Sequence, residues 1–104
     1  MPALRWAVYI LRCGDGSLYT GITTDVRRRV GQHARPGGRG AKYLRGRGPL
    51  AVVFKRAVGS RSRALRLERL IKRLPKAPKE ELVRGGVLPR GWAGARRAVP
   101  SVGR

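Results

Sequence analysis

The hydrophobic pattern along the chain is clearest at its start. Trp6 to Cys13 is a β-branched and aromatic run with no helix-period stripe, which predicts a strand. Gly14-Asp15-Gly16 interrupts it, and Ser17 to Ile22 reads as the returning strand of a hairpin. The length of that break decides which side chains meet. With three loop residues, Leu11 lies opposite Tyr19 and Tyr9 opposite Gly21, so both tyrosines share one face. A two-residue Asp15-Gly16 turn would shift the register by one and part them. A joint site needs the longer loop, and that is the expectation.

Thr23-Thr24-Asp25 offers N-cap oxygens, and helical spacing follows from Val26 to Ala34. At about 100° per residue, Val26, Arg29, Val30 and His33 fall on one side, while Arg27 and Arg28 point elsewhere. Pro36 and Gly37-Gly38 end the pattern, and residues 37–49 read as a basic surface loop. Leu50 to Val58 predicts a third strand, broken at Gly59. Ser60 or Ser62 then caps a helix to about Leu74, with an apolar stripe of Ala64, Leu67, Ile71 and Leu74 and Leu70 beside it. Pro75 closes that helix. Pro78 to Val83 reads as a short helix with proline at its first position and Glu80 and Glu81 in its first turn. From Gly85 no periodicity survives. The order ββαβα(α) predicts an α/β (α+β) fold, a small three-stranded sheet with flanking helices. It would occupy residues 1–83, with 84–104 a basic, disordered tail anchored at most by Trp92.

Charge narrows the partners. Among 104 residues, 25 are Lys or Arg and 5 Asp or Glu, a net charge of +20. Such a surface repels itself and draws polyanions, either nucleic acid or an anionic membrane. The apolar run Ala7 to Leu11 is too short to span a bilayer, and no long lysine-rich amphipathic helix with aromatic anchors follows. Nucleic acid is therefore the favoured partner, with the cytoplasm or its nucleoid the default location and no membrane involved. Arg27, Arg28, Lys42, Tyr43, Arg45, Arg47 and Lys72 are candidate phosphate contacts, with Tyr43 or Trp92 able to stack on an unpaired base. A solvated basic surface would carry the same pattern. Cys13 is the one cysteine and His33 the one histidine, which excludes an internal disulfide, a cysteine zinc cage and a His-rich metal site.

The few carboxylates can be sorted by elimination. Asp15 lies in a turn, and Asp25, Glu80 and Glu81 at helix starts. Glu68 has none of these structural jobs. On the border of its helix's apolar stripe, it could hold a divalent cation through oxygen, or simply pair with Lys72 at i,i+4 for about 0.2–0.5 kcal/mol. Arg29 either covers apolar surface with its stem or turns a bidentate fork toward a phosphate beside the tyrosines. His33 either packs or orients and deprotonates a tyrosine or water. Tyr9 and Tyr19 either pack or act as acid–base groups; a phenol near pKa 10 then needs a nearby cation. Gly21 lets a neighbour approach closely where a side chain would block it.

Several ordered motifs converge on one family. Val8-Tyr9-Ile10 and Tyr19-Thr20-Gly21 are followed at matching spacing by Thr24-Asp25-Val26, Arg28-Arg29 and His33. Gly40-Ala41-Lys42-Tyr43, Pro49 and the stretch Ala64 to Lys72 around Glu68 come next. From about Trp6 to Leu82 the chain resembles the GIY-YIG nuclease superfamily, in its small single-domain bacterial branch. The resemblance implies divalent-metal-dependent hydrolysis of DNA phosphodiesters. It implies Mg²⁺ or Mn²⁺ at Glu68, Arg29 on the phosphate, and Tyr9 activating water with Tyr19 assisting or the reverse. With no targeting module in view, a structure-selective or low-specificity endonuclease of repair or recombination is expected, acting on DNA that includes branched or single-stranded forms. The alternative is a nucleic-acid-binding protein of the same fold with little or no cleavage. A ribosome-associated basic protein would explain the charge but leave Glu68 and the tyrosine pair as coincidences.

Overall fold

In the computed structural model, which describes residues 5–34, 48–89 and 92, the first apolar run is buried on both sides because it becomes the middle of the sheet. This strand, β1 (Trp6–Arg12), pairs antiparallel with β2 (Leu18–Thr23) on one edge and β3 (Ala51–Gly59) on the other, giving the order β2-β1-β3. The helices are α1 (Val26–Ala34), α2 (Arg61–Lys72) and α3 (Lys76–Gly85). The mixed α/β architecture expected from the order of elements is the one found.

The hairpin has the three-residue loop. Gly16 N donates to Cys13 O and Cys13 N to Ser17 O, both at 2.8 Å. Gly16 sits at φ 89°, the left-handed position such a loop requires. Asp15 Oδ1 holds the turn by accepting from Ser17 N at 3.0 Å and Ser17 Oγ at 2.6 Å. Tyr9 therefore pairs with Gly21 and Leu11 with Tyr19.

Alternation along β1 sorts its side chains into two cores. Val8 and Ile10 face the helix that buries Ala64, Leu67 and Ile71, joined by Leu82 of α3. Tyr9 and Leu11 face the other way with Cys13, against Val26 and Val30 of α1, Tyr19 and Leu50. Asp25 caps α1 by accepting from Arg28 N at 3.1 Å, and of the two candidate serines Ser60 caps α2, accepting from Arg63 N at 3.2 Å.

Three expectations change in the last third. Pro78 is not the first residue of its helix: α3 starts at Lys76 after Pro75, so Pro78 occupies a later place in the first turn. That position is permitted because the first four N–H groups of a helix have no internal partner. The first turn consequently holds no acid, and Glu80 does a different job from the one its sequence neighbourhood suggests. Its carboxylate accepts from both Nη1 and Nη2 of Arg12, at 2.6 and 2.7 Å, and so ties α3 to the end of β1. Finally, Leu88 and Trp92, from the segment expected to form a tail, are buried in the larger core, and Arg63 stacks 4.8 Å above the Trp92 ring. Residues 90, 91 and 93–104 lie outside the described residues. Among the described residues, no helix is long and apolar enough to cross a membrane.

Candidate active site

The site is built on the smaller core. Tyr9 is 1% exposed, and its ring lies across Gly21 of the neighbouring strand. A Cβ on Gly21 would stand 2.6 Å from the Tyr9 hydroxyl oxygen. The glycine thus makes the groove that the phenol occupies. Tyr19 lies diagonally on the same face, its ring centre 6.5 Å from that of Tyr9 and tilted by 46°.

Helix α1 delivers Arg29. Val26 and Val30 seat the helix on the Tyr9 face, and Arg29 between them is turned the same way. Its guanidinium donates to the Tyr9 phenol oxygen, and its Nη1 donates to Gln32 Oε1 at 2.9 Å. Gln32 was not singled out by sequence reasoning. The signal was there, a polar side chain three residues beyond an inward arginine on one helix. Thr23, Thr24, Asp25, Arg28, Arg29 and Gln32 line a polar cavity of about 240 Å³ at the start of the helix.

Glu68 arrives from α2, on the other face of the sheet, and is largely buried, with 18% of its side chain exposed. Its Oε2 lies 3.2 Å from Lys72 Nζ, so the i,i+4 pair is formed. Its charge also acts on the Tyr9 phenol. Pairing with Lys72 and proximity to Tyr9 are both properties of one carboxylate.

Arg29 supplies one of the cations a tyrosine base needs, and burial opposes it. The Tyr9 pKa is pushed up to about 12, chiefly by burial and next by the neighbouring Tyr19. Arg29 pulls it down through the hydrogen bond and its charge, while Glu68 adds a smaller upward push. Burial wins, so Arg29 alone does not bring the phenol into the neutral range.

The remaining candidates separate. Arg27 and Arg28 are exposed on α1, and Lys72 is engaged with Glu68. His33 belongs to the last turn of α1, but its side chain lies outside the described residues, as do Lys42, Tyr43, Arg45 and Arg47. Among the described residues no group of three or more His, Cys, Asp or Glu side chains could hold a metal ion. A cation at Glu68 would therefore draw most of its ligands from water and substrate, which Mg²⁺ tolerates well.

Comparison with known proteins fits this geometry. Residues 5–81 match the family model of the GIY-YIG catalytic domain. A UPF0213 protein of Cronobacter sakazakii is 59% identical over 81 residues, 78% of this chain and 83% of that protein. The UPF0213 protein YhbQ of Escherichia coli is 54% identical over 81 residues, 78% of this chain and 79% of its own length. The solution NMR structure of the UPF0213 protein BH0048 from Bacillus halodurans is 51% identical, covers 77% of this chain and 83% of that one, and superposes with a TM-score of 0.51. A match across most of the chain, at this identity and with the same fold, places the protein in the GIY-YIG family, whose domain is that of a nuclease, and within it among the small UPF0213 proteins.

Proposed function

We propose that this protein is a divalent-metal-dependent endonuclease that hydrolyses DNA phosphodiester bonds, with selectivity for DNA structure or low specificity, in repair or recombination. One observation carries the reading: β1, α1 and α2 bring a phenol, a guanidinium and a carboxylate to the same place.

Arg29 binds the scissile phosphate. Gln32 and the Tyr9 oxygen fix its fork, and the adjoining cavity leaves room for an anion. Tyr9, with a pKa of about 12, holds its proton at neutral pH and acts as a donor until more positive charge reaches it. Tyr19 assists on the same face, and His33 orients a water or phenol from the end of α1. Glu68 suits Mg²⁺ or Mn²⁺ as a hard oxygen donor that is partly exposed and whose charge reaches the phenol. When bound, such an ion stabilises charge on the leaving oxygen. Lys72 keeps the carboxylate neutralised in the free protein and is released to the DNA backbone. Arg27, Arg28, Lys42, Tyr43, Arg45 and Arg47 complete the phosphate and base contacts.

The test is cleavage of labelled duplex, flap and four-way-junction DNA with Mg²⁺ or Mn²⁺, comparing wild type with Glu68→Ala. Cutting should fall about a hundredfold or more while salt-sensitive binding persists. Cutting undiminished in the variant would remove Glu68 from the mechanism. Two observations favour the second reading, a binding protein without cleavage: the raised Tyr9 pKa and the occupation of Glu68 by Lys72. Tight binding with no cutting of any substrate by the wild type would establish it.

A further inference from the structure

The described cations divide into those with partners and those without. Arg12 is paired with Glu80, Lys72 with Glu68, and Arg29 with Gln32 and Tyr9. Arg61 stacks over Trp6 at 5.5 Å, and Arg63 stacks over Trp92 and donates to Val58 O at 3.0 Å. These charges hold the fold together. Arg66, Arg69 and Arg73 do not: all are exposed, and their side chains make no hydrogen bond or ion pair with a described residue.

Their spacing is orderly. At i, i+3 and i+7 helical spacing sets Arg66 and Arg69 of α2 and its C-cap residue Arg73 in one row opposite Ala64, Leu67 and Ile71. The row extends about 10 Å along the axis at 1.5 Å per residue. No acid interrupts it, since Glu68 lies on the flank of the helix nearer the sheet. Tyr9 and Arg29 belong to the opposite face of the sheet, the side covered by α1. Glu68 reaches the phenol from the flank of α2 nearer the sheet, so the breadth of the helix, about 10–12 Å, separates the arginine row from Glu68, and the sheet separates it further from Tyr9 and Arg29.

A duplex seated with its backbone at Arg29 does not pass over the outer face of α2 unless it bends around the molecule. Duplex DNA resists that, with a persistence length of about 150 base pairs and a cost of several kcal/mol for sharp bends at short range. A second arm needs no bending. We propose that the outer face of α2, through Arg66, Arg69 and Arg73, is a second DNA-backbone surface. It takes a double-helical arm other than the one presented to Tyr9 and Arg29. This rests on the nuclease reading for its substrate and gives that substrate a shape, DNA with at least two arms diverging from the point of attack. The contacts are to phosphates, so they set placement rather than sequence.

The test uses the full chain without metal, so that binding is measured apart from cutting. Arg66→Gln, Arg69→Gln and Arg73→Gln are combined in one variant. A control combines Lys55→Gln, Lys76→Gln and Arg84→Gln, exposed cations of β3 and α3, and has the same net charge. Glutamine keeps helix propensity close to that of arginine, and unchanged melting confirms that both variants fold. Affinity for a four-way junction and for a short linear duplex is followed against salt. In the α2 variant the logarithmic salt slope on the junction should become shallower by about 3, one unit per lost phosphate contact. The preference for junction over duplex should fall with it, and the control should retain that preference. Equal losses in variant and control, or equal losses on junction and duplex, would overturn the second surface. Cleavage by the wild type is scored separately. Absent cleavage with a junction-selective loss removes the nuclease reading and leaves the surface standing.

Discussion

Tyr9 can be buried because its partner across the strand pair has no side chain. Gly21 yields the space, burial raises the phenol's pKa to about 12, and Arg29 satisfies its oxygen. In Gly21→Ala the added carbon would meet the hydroxyl at 2.6 Å, and the ring must leave its groove. Stability should drop by about 1–3 kcal/mol in urea titrations. The tyrosine absorbance should show that phenol ionising closer to pH 10. The sign of the linkage follows. The folded value lies above the unfolded one, so Tyr9's contribution is complete below pH 10 and is lost as pH rises toward 12. That alkaline loss should shrink in the variant. Gly21 was legible as a site of close approach. That the approaching group is Tyr9 depended on the register.

The elements are held by caps and by one ion pair between distant parts of the chain. Asp25 and Ser60 each satisfy an early N–H group of a helix, which is why the start of α1 was readable and that of α2 was narrowed to Ser60 or Ser62. The start of α3 was misplaced because Pro75 and Pro78 both satisfy the rules for a helix beginning, and local sequence does not rank them. Its Glu80 reaches Arg12, 68 residues earlier, which no local rule reveals. Arg12 holds the Glu80 carboxyl below the ordinary glutamate value, so this stabilisation is present above about pH 4.5 and fades as pH falls through the lower folded value. Glu80→Gln should therefore lower the melting temperature at neutral pH, and its deficit against wild type should narrow on acidification. A gap that stays constant down to pH 2 would assign the effect to packing instead.

At the scale of the molecule, both cores hang on β1. Val8 and Ile10 enter the larger one and Tyr9 and Leu11 the smaller, so the strand that orders the fold also carries a residue of the site. The larger core extends past α3 to Leu88 and Trp92, which are 7% and 4% exposed. Trp92→Ala should cost about 3–5 kcal/mol, measured by denaturant unfolding, as a buried aromatic leaves a cavity. It also strips Arg63 of its stacking partner. A loss below 1 kcal/mol would return the segment after α3 to the role of a tail. The sequence singled out Trp92 only as the one bulky anchor of a tail. An isolated tryptophan in a Gly- and Pro-rich stretch has no period to read, and its burial comes from contacts distant in sequence.

What the sequence by itself determined is whatever acts over a few residues. β-Branched and aromatic runs marked the strands, Gly14-Asp15-Gly16 marked the turn between the first two while leaving a two- or three-residue loop open, and Asp25 started the helix that turns Arg29 inward. The ordered motifs also carried the family. Tertiary structure alone decided how those pieces act on one another. It fixed the hairpin register, closed Tyr9 over Gly21, brought Arg29 and the charge of Glu68 to the phenol, and let burial outweigh Arg29 at Tyr9. The physical reason is range. Periodicity, caps and turns are set by neighbouring backbone. Desolvation and charge depend on which surfaces the completed fold excludes from water.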